Sequence, residues 1–372
     1  MSSKLHDDNL LHIWREEQHT IASQVIIPPE SSSVVVSQTN GTRYVYLSPY
    51  TSSNINGQTT TEGDKNYLLI GGVDVSFSAV DNEDAVAVYV ILKYDKSTLS
   101  NNDPSPPPEV VYRSHKFYKL TTPYIPSYLA FREIDPIMEL ITEQCNHKPH
   151  LTPNVILVDG NGQWHDRRAG LACAVGVKCK LPTIGVGKTF YSLDNEMEKS
   201  DVLKDVKSSV QSWYDDHCKQ EQGRTESVNM ECRGKIVVDN ESIPLHSNKM
   251  RVKRESPSPM AYEEMLVKLH QVCSGLAIPM RSGMDQNDIV LAYALVGHGG
   301  NNLTNNNDGD GNCNKSSKPA RGSKNPIYVS CGSYISLLEA VSLVAWTSVV
   351  RIPEPIREAD LHGRQLLRDQ NR

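Results

Sequence analysis

Three acidic residues, Asp74, Glu133 and Asp159, stand where a carboxylate is expensive to keep. Asp74 lies inside the apolar run Leu68-Leu69-Ile70-Gly71-Gly72-Val73-Asp74-Val75-Ser76-Phe77, and Asp159 ends a second run, Val155-Ile156-Leu157-Val158-Asp159-Gly160. Glu133 closes the segment Pro123-Tyr124-Ile125-Pro126-Ser127-Tyr128-Leu129-Ala130-Phe131-Arg132-Glu133. A carboxylate in a buried strand, or at its end, is costly unless it is paired or holds a cation. Three that converge repel one another, and a divalent metal relieves the repulsion. Oxygen ligands of this kind suit Mg²⁺, with Mn²⁺ able to substitute. Taken singly, each is more often a strand-end or helix-side carboxylate satisfied by its own neighbours.

The elements that would carry these residues are legible in outline. Helical spacing of Leu10, Leu11, Ile13, Trp14, Ile21, Ala22, Val25 and Ile26 predicts a helix over 9–27, followed by a polar stretch to about Asn66. Three β-rich runs, 67–77, 85–94 and 110–120, are separated by short polar or proline-rich connectors, which favours an antiparallel meander. A helix over 128–145, with Pro136 near its start or at a kink, a strand at 155–158, a helix over 168–177 and a strand at 183–187 then alternate. That alternation implies parallel pairing through crossovers. Strands at 288–295 and 326–331 and a helix over 335–350 complete an α/β mixed sheet covered on both faces. The expected division is a core in two parts, 1–194 and 281–372. Between them lies a charged, irregular and partly disordered insert, 195–280, and the Gly/Asn/Asp-rich run 298–325 is a flexible loop within the second part.

Composition narrows the function classes without choosing one. The chain has 372 residues and a net charge of −6, so no global basic field points to nucleic acid. Local clusters do occur: Arg113, His115, Lys116 and Lys119 before Glu133, and Arg167, Arg168, Lys178, Lys180 and Lys188 after Asp159. Such patches grip phosphates or simply form a solvated face. The 8 cysteines have no CxxC pair or zinc spacing, and the N-terminus lacks an apolar signal core. Reduced thiols in the cytoplasm or nucleus, no membrane partner and a monomer are expected.

Two motif tests fail. The turn Asp159-Gly160-Asn161-Gly162-Gln163-Trp164-His165 follows a strand, but His165 stands where a dinucleotide fingerprint needs its third glycine. The run from Asn306 resembles a calcium loop, but its twelfth position is Ser317 rather than Glu. His165 and Lys188 follow the two parallel strands, at the carboxyl edge where open α/β sheets bind ligands. Either could face phosphate, and a strand-end lysine is equally ordinary surface.

The order and spacing of Gly72-Val73-Asp74-Val75, the 123–133 segment, Val158-Asp159-Gly160-Asn161-Gly162 with His165 and Arg167, and Pro182-Thr183-Ile184-Gly185-Val186-Gly187-Lys188 resemble endonuclease V. The run Arg351-Ile352-Pro353-Glu354-Pro355-Ile356-Arg357-Glu358-Ala359-Asp360 resembles its animal members. The resemblance covers about residues 10–30, 67–190 and 278–362. It implies a ribonuclease-H-like fold with Asp74, Glu133 and Asp159 as metal ligands. It also implies a wedge of Pro123, Tyr124, Ile125 and Pro126, and a base pocket lined near Leu129 and Gly160. Lys188 would lie on phosphate charge and His165 near the scissile region. Where the family has a histidine and, a few positions on, an acidic residue, this chain has Ser333 and Leu338, with Glu339 displaced by about 100° around a helix. That departure removes an expected contact to metal or phosphate.

The activity implied is Mg²⁺-dependent cleavage of the second phosphodiester 3′ to inosine in RNA or deoxyinosine in DNA, single-stranded or structured, in repair or inosine-RNA turnover. The rival is a non-catalytic reader of inosine or structured RNA. Retention of three like charges favours the enzyme.

Overall fold

The computed structural model describes residues 2–30, 34–39, 42–47, 66–80, 83–96, 107–122, 125–193, 198–221, 235–239, 273–282, 289–299 and 323–370, with a few positions between 262 and 269. Helix α1 (Ser2–Gln24) precedes the hairpin β1 (Val34–Thr39) and β2 (Thr42–Leu47). The meander follows as β3 (Tyr67–Phe77), β4 (Asp84–Asp95) and β5 (Glu109–Lys119). Next come α2 (Ala130–His147), β6 (Val155–Asp159), α3 (Leu171–Cys179) and β7 (Thr183–Gly187). Helix α4 (Lys199–Glu221), β8 (Ile236–Val238), β9 (Gly275–Arg281), β10 (Val290–Val296), β11 (Ile327–Ser333), α5 (Leu337–Thr347) and α6 (Glu354–Gln370) complete the chain.

Among the described residues eleven strands form one sheet in the order β1-β2-β8-β9-β10-β11-β7-β6-β3-β4-β5. Within it, β5-β4-β3-β6-β7 is the ribonuclease-H-like unit, with β3 antiparallel to β4 and parallel to β6, and β6 parallel to β7. Strands β3 and β4 are buried along almost their whole length, as their unbroken Val/Ile/Leu runs require. Strand β5 alternates exposed and half-buried residues and forms the edge. Its charges are paired with neighbours, Lys119 with Asp84 at 2.7 Å and Lys116 with Glu139 of α2, which guards an open edge against strand addition.

The core divides by face. Alternate residues of β3 and β6, including Ile70, Val155 and Leu157, pack under α5 and α6 with Leu338, Val341, Ile356 and Ala359. The opposite residues, including Leu69, Val73, Ile156 and Val158, pack under α2 and α3. Beyond β7 that same face is covered by α4, through Val202, Val206, Val210 and Trp213. No helix among the described residues is long and apolar enough to cross a membrane.

Two parts of the sequence reading need correction. The stretch 195–280, read as an irregular insert, supplies α4 and strands β8 and β9 of the main sheet. Its helical stripe is diluted by charged residues, β8 is only three residues long, and Pro279 argues against a central strand although it pairs with Tyr293 there. The polar stretch before Asn66 likewise contains β1 and β2. The loop read at 298–325 lies outside the described residues except at its two ends.

Helix α6 lies on β3 at a distance only glycine allows. A Cβ at Gly72 would meet the Pro355 carbonyl oxygen at 2.2 Å, and one at Gly363 would meet the Ser76 Oγ at 2.6 Å. At Gly71 on the opposite face the nearest atoms are side chains, at 3.1 Å or more. Gly72→Ala is therefore expected to destabilise the fold by about 1–3 kcal/mol, the usual range for overpacking, and Gly71→Ala by clearly less. Urea unfolding of the two variants checks this, and equal losses would contradict it.

Candidate active site

Strand register brings two aspartates together. Val73 lies opposite Val158 in the parallel β3–β6 pair, so one residue further along Asp74 comes abreast of Asp159 on the same face. Neighbouring strands are about 4.8 Å apart, so the two carboxylates must share one patch. Asp159 in turn lies opposite Val186 of β7, and Lys188 leaves that strand two residues on. The Lys188 Nζ donates to Asp159 Oδ2 at 2.7 Å and to Asp74 Oδ1 at 3.1 Å. Ser76 Oγ donates weakly to the other Asp74 oxygen at 3.4 Å. Burial, followed by the hydrogen bond and charge of Asp74, pushes the Asp159 carboxyl well above the usual range. Burial lowers the Lys188 pKa, but the charges of Asp159 and Asp74 outweigh it and the net shift is upward.

Glu133 reaches the same edge from a helix. In α2 the buried positions Ala130, Glu133, Ile134, Ile137, Leu140, Ile141 and Gln144 follow helical spacing, so Glu133 occupies a core-facing position. Burial, and then the charge of Asp74, raises its pKa to about 8, against the opposing pull of Arg132. Asp74 thus feels Glu133 through its charge and is joined to Asp159 by the Lys188 ammonium between them.

Among the described residues no three His, Cys, Asp or Glu side chains are gathered tightly enough to form a ready metal cage. The donor chemistry nevertheless suits a hard divalent cation: acid oxygens only, more carboxylates than cations, and a lysine ammonium seated between two of them. Arg351 fixes the lysine from behind. Its guanidinium donates to the Lys188 carbonyl, to Pro326 O at 2.9 Å and to Asn325 O at 3.2 Å.

The remaining residues singled out from the sequence are placed variously. His165 is 6% exposed and faces inward: Nε2 bonds Ser127 O at 2.9 Å, and Nδ1 accepts from the Arg167 N–H at 3.2 Å. Both ring nitrogens are thereby engaged within the protein. Gly160 adopts φ +142°, which accounts for a glycine directly after Asp159. Ile125 and Leu129 are half-buried and Pro126 is exposed in the loop leading into α2; Pro123 and Tyr124 lie outside the described residues.

Ser333 is not where the motif comparison implies. The antiparallel β7–β11 pairing sets it opposite Thr183, at the far end of β7 from Lys188. It is fully buried, its N–H donates to Thr183 Oγ1 at 3.0 Å and its Oγ accepts from the Ile26 N–H at 3.0 Å. Leu338 packs in the core, and its N–H donates to Glu30 Oε1 at 3.3 Å. These positions tie the segment after α1 to the sheet. Sequence reasoning passed over Asp166, Tyr191 and Gln18, and it named Arg351 only as part of a motif run without a role; the run of Asp166, Arg167 and Arg168 beside His165 was the other available signal.

The chain is similar to known proteins over most of its length. The family model for endonuclease V matches residues 50–233 and 304–361. Human endonuclease V is 28% identical over 299 residues, 80% of this chain and 71% of that protein. The mouse protein is 29% identical over the same length of alignment, which spans 60% of its own sequence. The fold matches the crystal structure of the human catalytic domain with a TM-score of 0.58 at 24% identity, covering 98% of each chain. It matches a Ciona intestinalis endonuclease V structure with a TM-score of 0.57 at 22% identity, covering 97% of this chain and 99% of that one. With its matched segments including all three carboxylates and Lys188, the chain belongs to the endonuclease V family of metal-dependent nucleases.

Proposed function

We propose that this chain hydrolyses the second phosphodiester on the 3′ side of inosine in RNA, or of deoxyinosine in DNA, with Mg²⁺ as its cofactor. The observation that carries the reading is the Asp74–Lys188–Asp159 bridge at the sheet edge with buried Glu133 beside it. The Ciona intestinalis structure is a complex with a 24mer DNA containing an inosine followed by a ribo-adenosine. A ribonucleotide after the inosine in that complex supports RNA as the substrate here.

When held by Asp74, Glu133 and Asp159, Mg²⁺ supplies Lewis-acid stabilisation of phosphate charge and a water of lowered pKa. Lys188, fixed through its carbonyl by Arg351, keeps a cationic tip at the same edge to balance phosphate charge. Ile125, Pro126, Leu129 and Gly160, with Pro123 and Tyr124, are assigned to the unstacked base, whose Watson–Crick edge distinguishes inosine from guanosine. His165 is assigned an anchoring role, because a neutral ring with both nitrogens engaged has no proton to exchange with substrate.

Matched inosine and guanosine oligonucleotides, RNA and DNA, with and without Mg²⁺, test the reading. Cleavage of the inosine strands alone is expected. Asp159→Asn should lower it by at least about 10²-fold, the scale of losing a positioned catalytic group. Mg²⁺ should also raise the melting temperature of the parent, and this rise should vanish in Asp159→Asn. Tight inosine-dependent binding without cleavage at any Mg²⁺ or Mn²⁺ concentration would favour the non-catalytic reader instead.

The anchoring role has its own test in pH. Burial, and then the Arg167 charge, lowers the His165 pKa to about 4, although Asp166 and the Ser127 carbonyl pull upward. An unfolded histidine titrates near about 6.5, so the unfolded chain binds the proton first as pH falls. Stability from this residue is therefore present above about pH 6.5 and is lost progressively towards pH 4. His165→Gln, which retains an N–H for the Ser127 carbonyl, should flatten the acid limb of stability against pH. An identical limb in both proteins would remove His165 as its cause.

A further inference from the structure

Ser127 is bound from more directions than a loop residue needs. Its carbonyl accepts from Gln18 Nε2 at 2.8 Å, His165 Nε2 at 2.9 Å and Arg167 Nη2 at 2.9 Å. Its hydroxyl lies 2.5 Å from Asp166 Oδ2 and 2.5 Å from the Tyr191 hydroxyl. Tyr191 donates to that same Asp166 oxygen at 2.5 Å. Both hydroxyls can donate to the Asp166 carboxylate, and hydrogen bonds to an ionised acceptor are the strong ones. The three members come from three separate segments: the loop before α2, the loop after β6 and the chain after β7. Ser127 also holds φ +66°, a left-handed conformation uncommon for a residue with a side chain. Such backbone persists only where surrounding bonds over-determine it, and it gathers at functional loops.

We propose that the Ser127–Asp166–Tyr191 triangle is a selectivity lock: it fixes the Ile125–Leu129 loop relative to the end of β6 and so sets which base the site admits. The inference rests on the inosine reading above. The bonds that define the triangle run among its own members and not to Asp74, Asp159 or Lys188, so its members are taken as positioning residues. Ser127 stands between Pro126, which is exposed, and the start of α2, which carries Glu133. A loop free to shift there would widen the base site while leaving the carboxylates in register, because register is set by β3, β6 and β7. Its loss should therefore appear in discrimination and KM before it appears in kcat.

Tyr191→Phe is the sharpest probe. It removes one hydroxyl and keeps the ring, which stacks on His165 at 5.8 Å and 5°. Ser127→Gly is the second, since it removes the other hydroxyl and at the same time relieves the left-handed backbone. Each variant of the full chain would be compared with the parent on inosine and guanosine RNA strands in Mg²⁺, with amide hydrogen exchange followed over 125–130. The expected result in both is faster exchange of that loop and at least a fivefold fall in inosine preference. The fall should come mainly through KM, with kcat within about twofold of the parent. Unchanged exchange and unchanged preference would overturn the lock. Faster exchange with preference intact would overturn it too, leaving the triangle a structural brace only. A parent that cuts inosine and guanosine strands alike would overturn the functional reading, and exchange alone would still decide whether the triangle holds the loop.

Discussion

The structure turns on a like-charge pair imposed by strand register. Parallel pairing of β3 with β6 places Asp74 and Asp159 side by side on one face. Neither can move away without slipping a strand, which would turn its apolar residues out of the core. Lys188 is the local answer, and its place depends on β7 being paired at a fixed register with β6 and on Arg351 gripping its carbonyl. Glu133 adds a third acid from the opposite layer, on a helix face otherwise apolar. The fold therefore stores repulsion at one edge, and a cation is what most naturally discharges it.

That edge was legible in the sequence because its components are local. A carboxylate inside or ending a Val/Ile/Leu run is visible without a structure, and so is the strand–helix–strand alternation that predicts parallel pairing. The meander and its boundaries are equally plain, since β3 and β4 are apolar almost throughout. What escaped depends on contacts far apart in the chain. Strand β8 is three residues long and owes its existence to β2 and β9. The apolar stripe of α4 is interspersed with lysine and aspartate, and β9 carries a proline. The role of Ser333 could not be read from a motif, because only the β7–β11 register shows which end of the strand it occupies.

Polar residues are used here in two distinct ways. At the carboxylate edge acidic groups outnumber the lysine that bridges them. Around Ser127 and His165 they are matched, each donor to a partner across three loops and α1. The first arrangement is reactive and the second is rigid, and they lie on either side of the first turn of α2. Under the proposed function this division has a purpose, because a loose support forfeits geometry that no extra charge restores.

Order of synthesis gives the C-terminal elements a further meaning. The acids and the lysine all lie between residues 74 and 188, whereas Arg351, which grips the Lys188 carbonyl, and α6, which seats Pro355 against Gly72, come much later in the chain. Strands β9, β10 and β11, which extend the sheet beyond β7, also come late. Synthesis in order thus sets out the acids and the lysine before Arg351, which grips the Lys188 carbonyl, and before α6, which packs on β3.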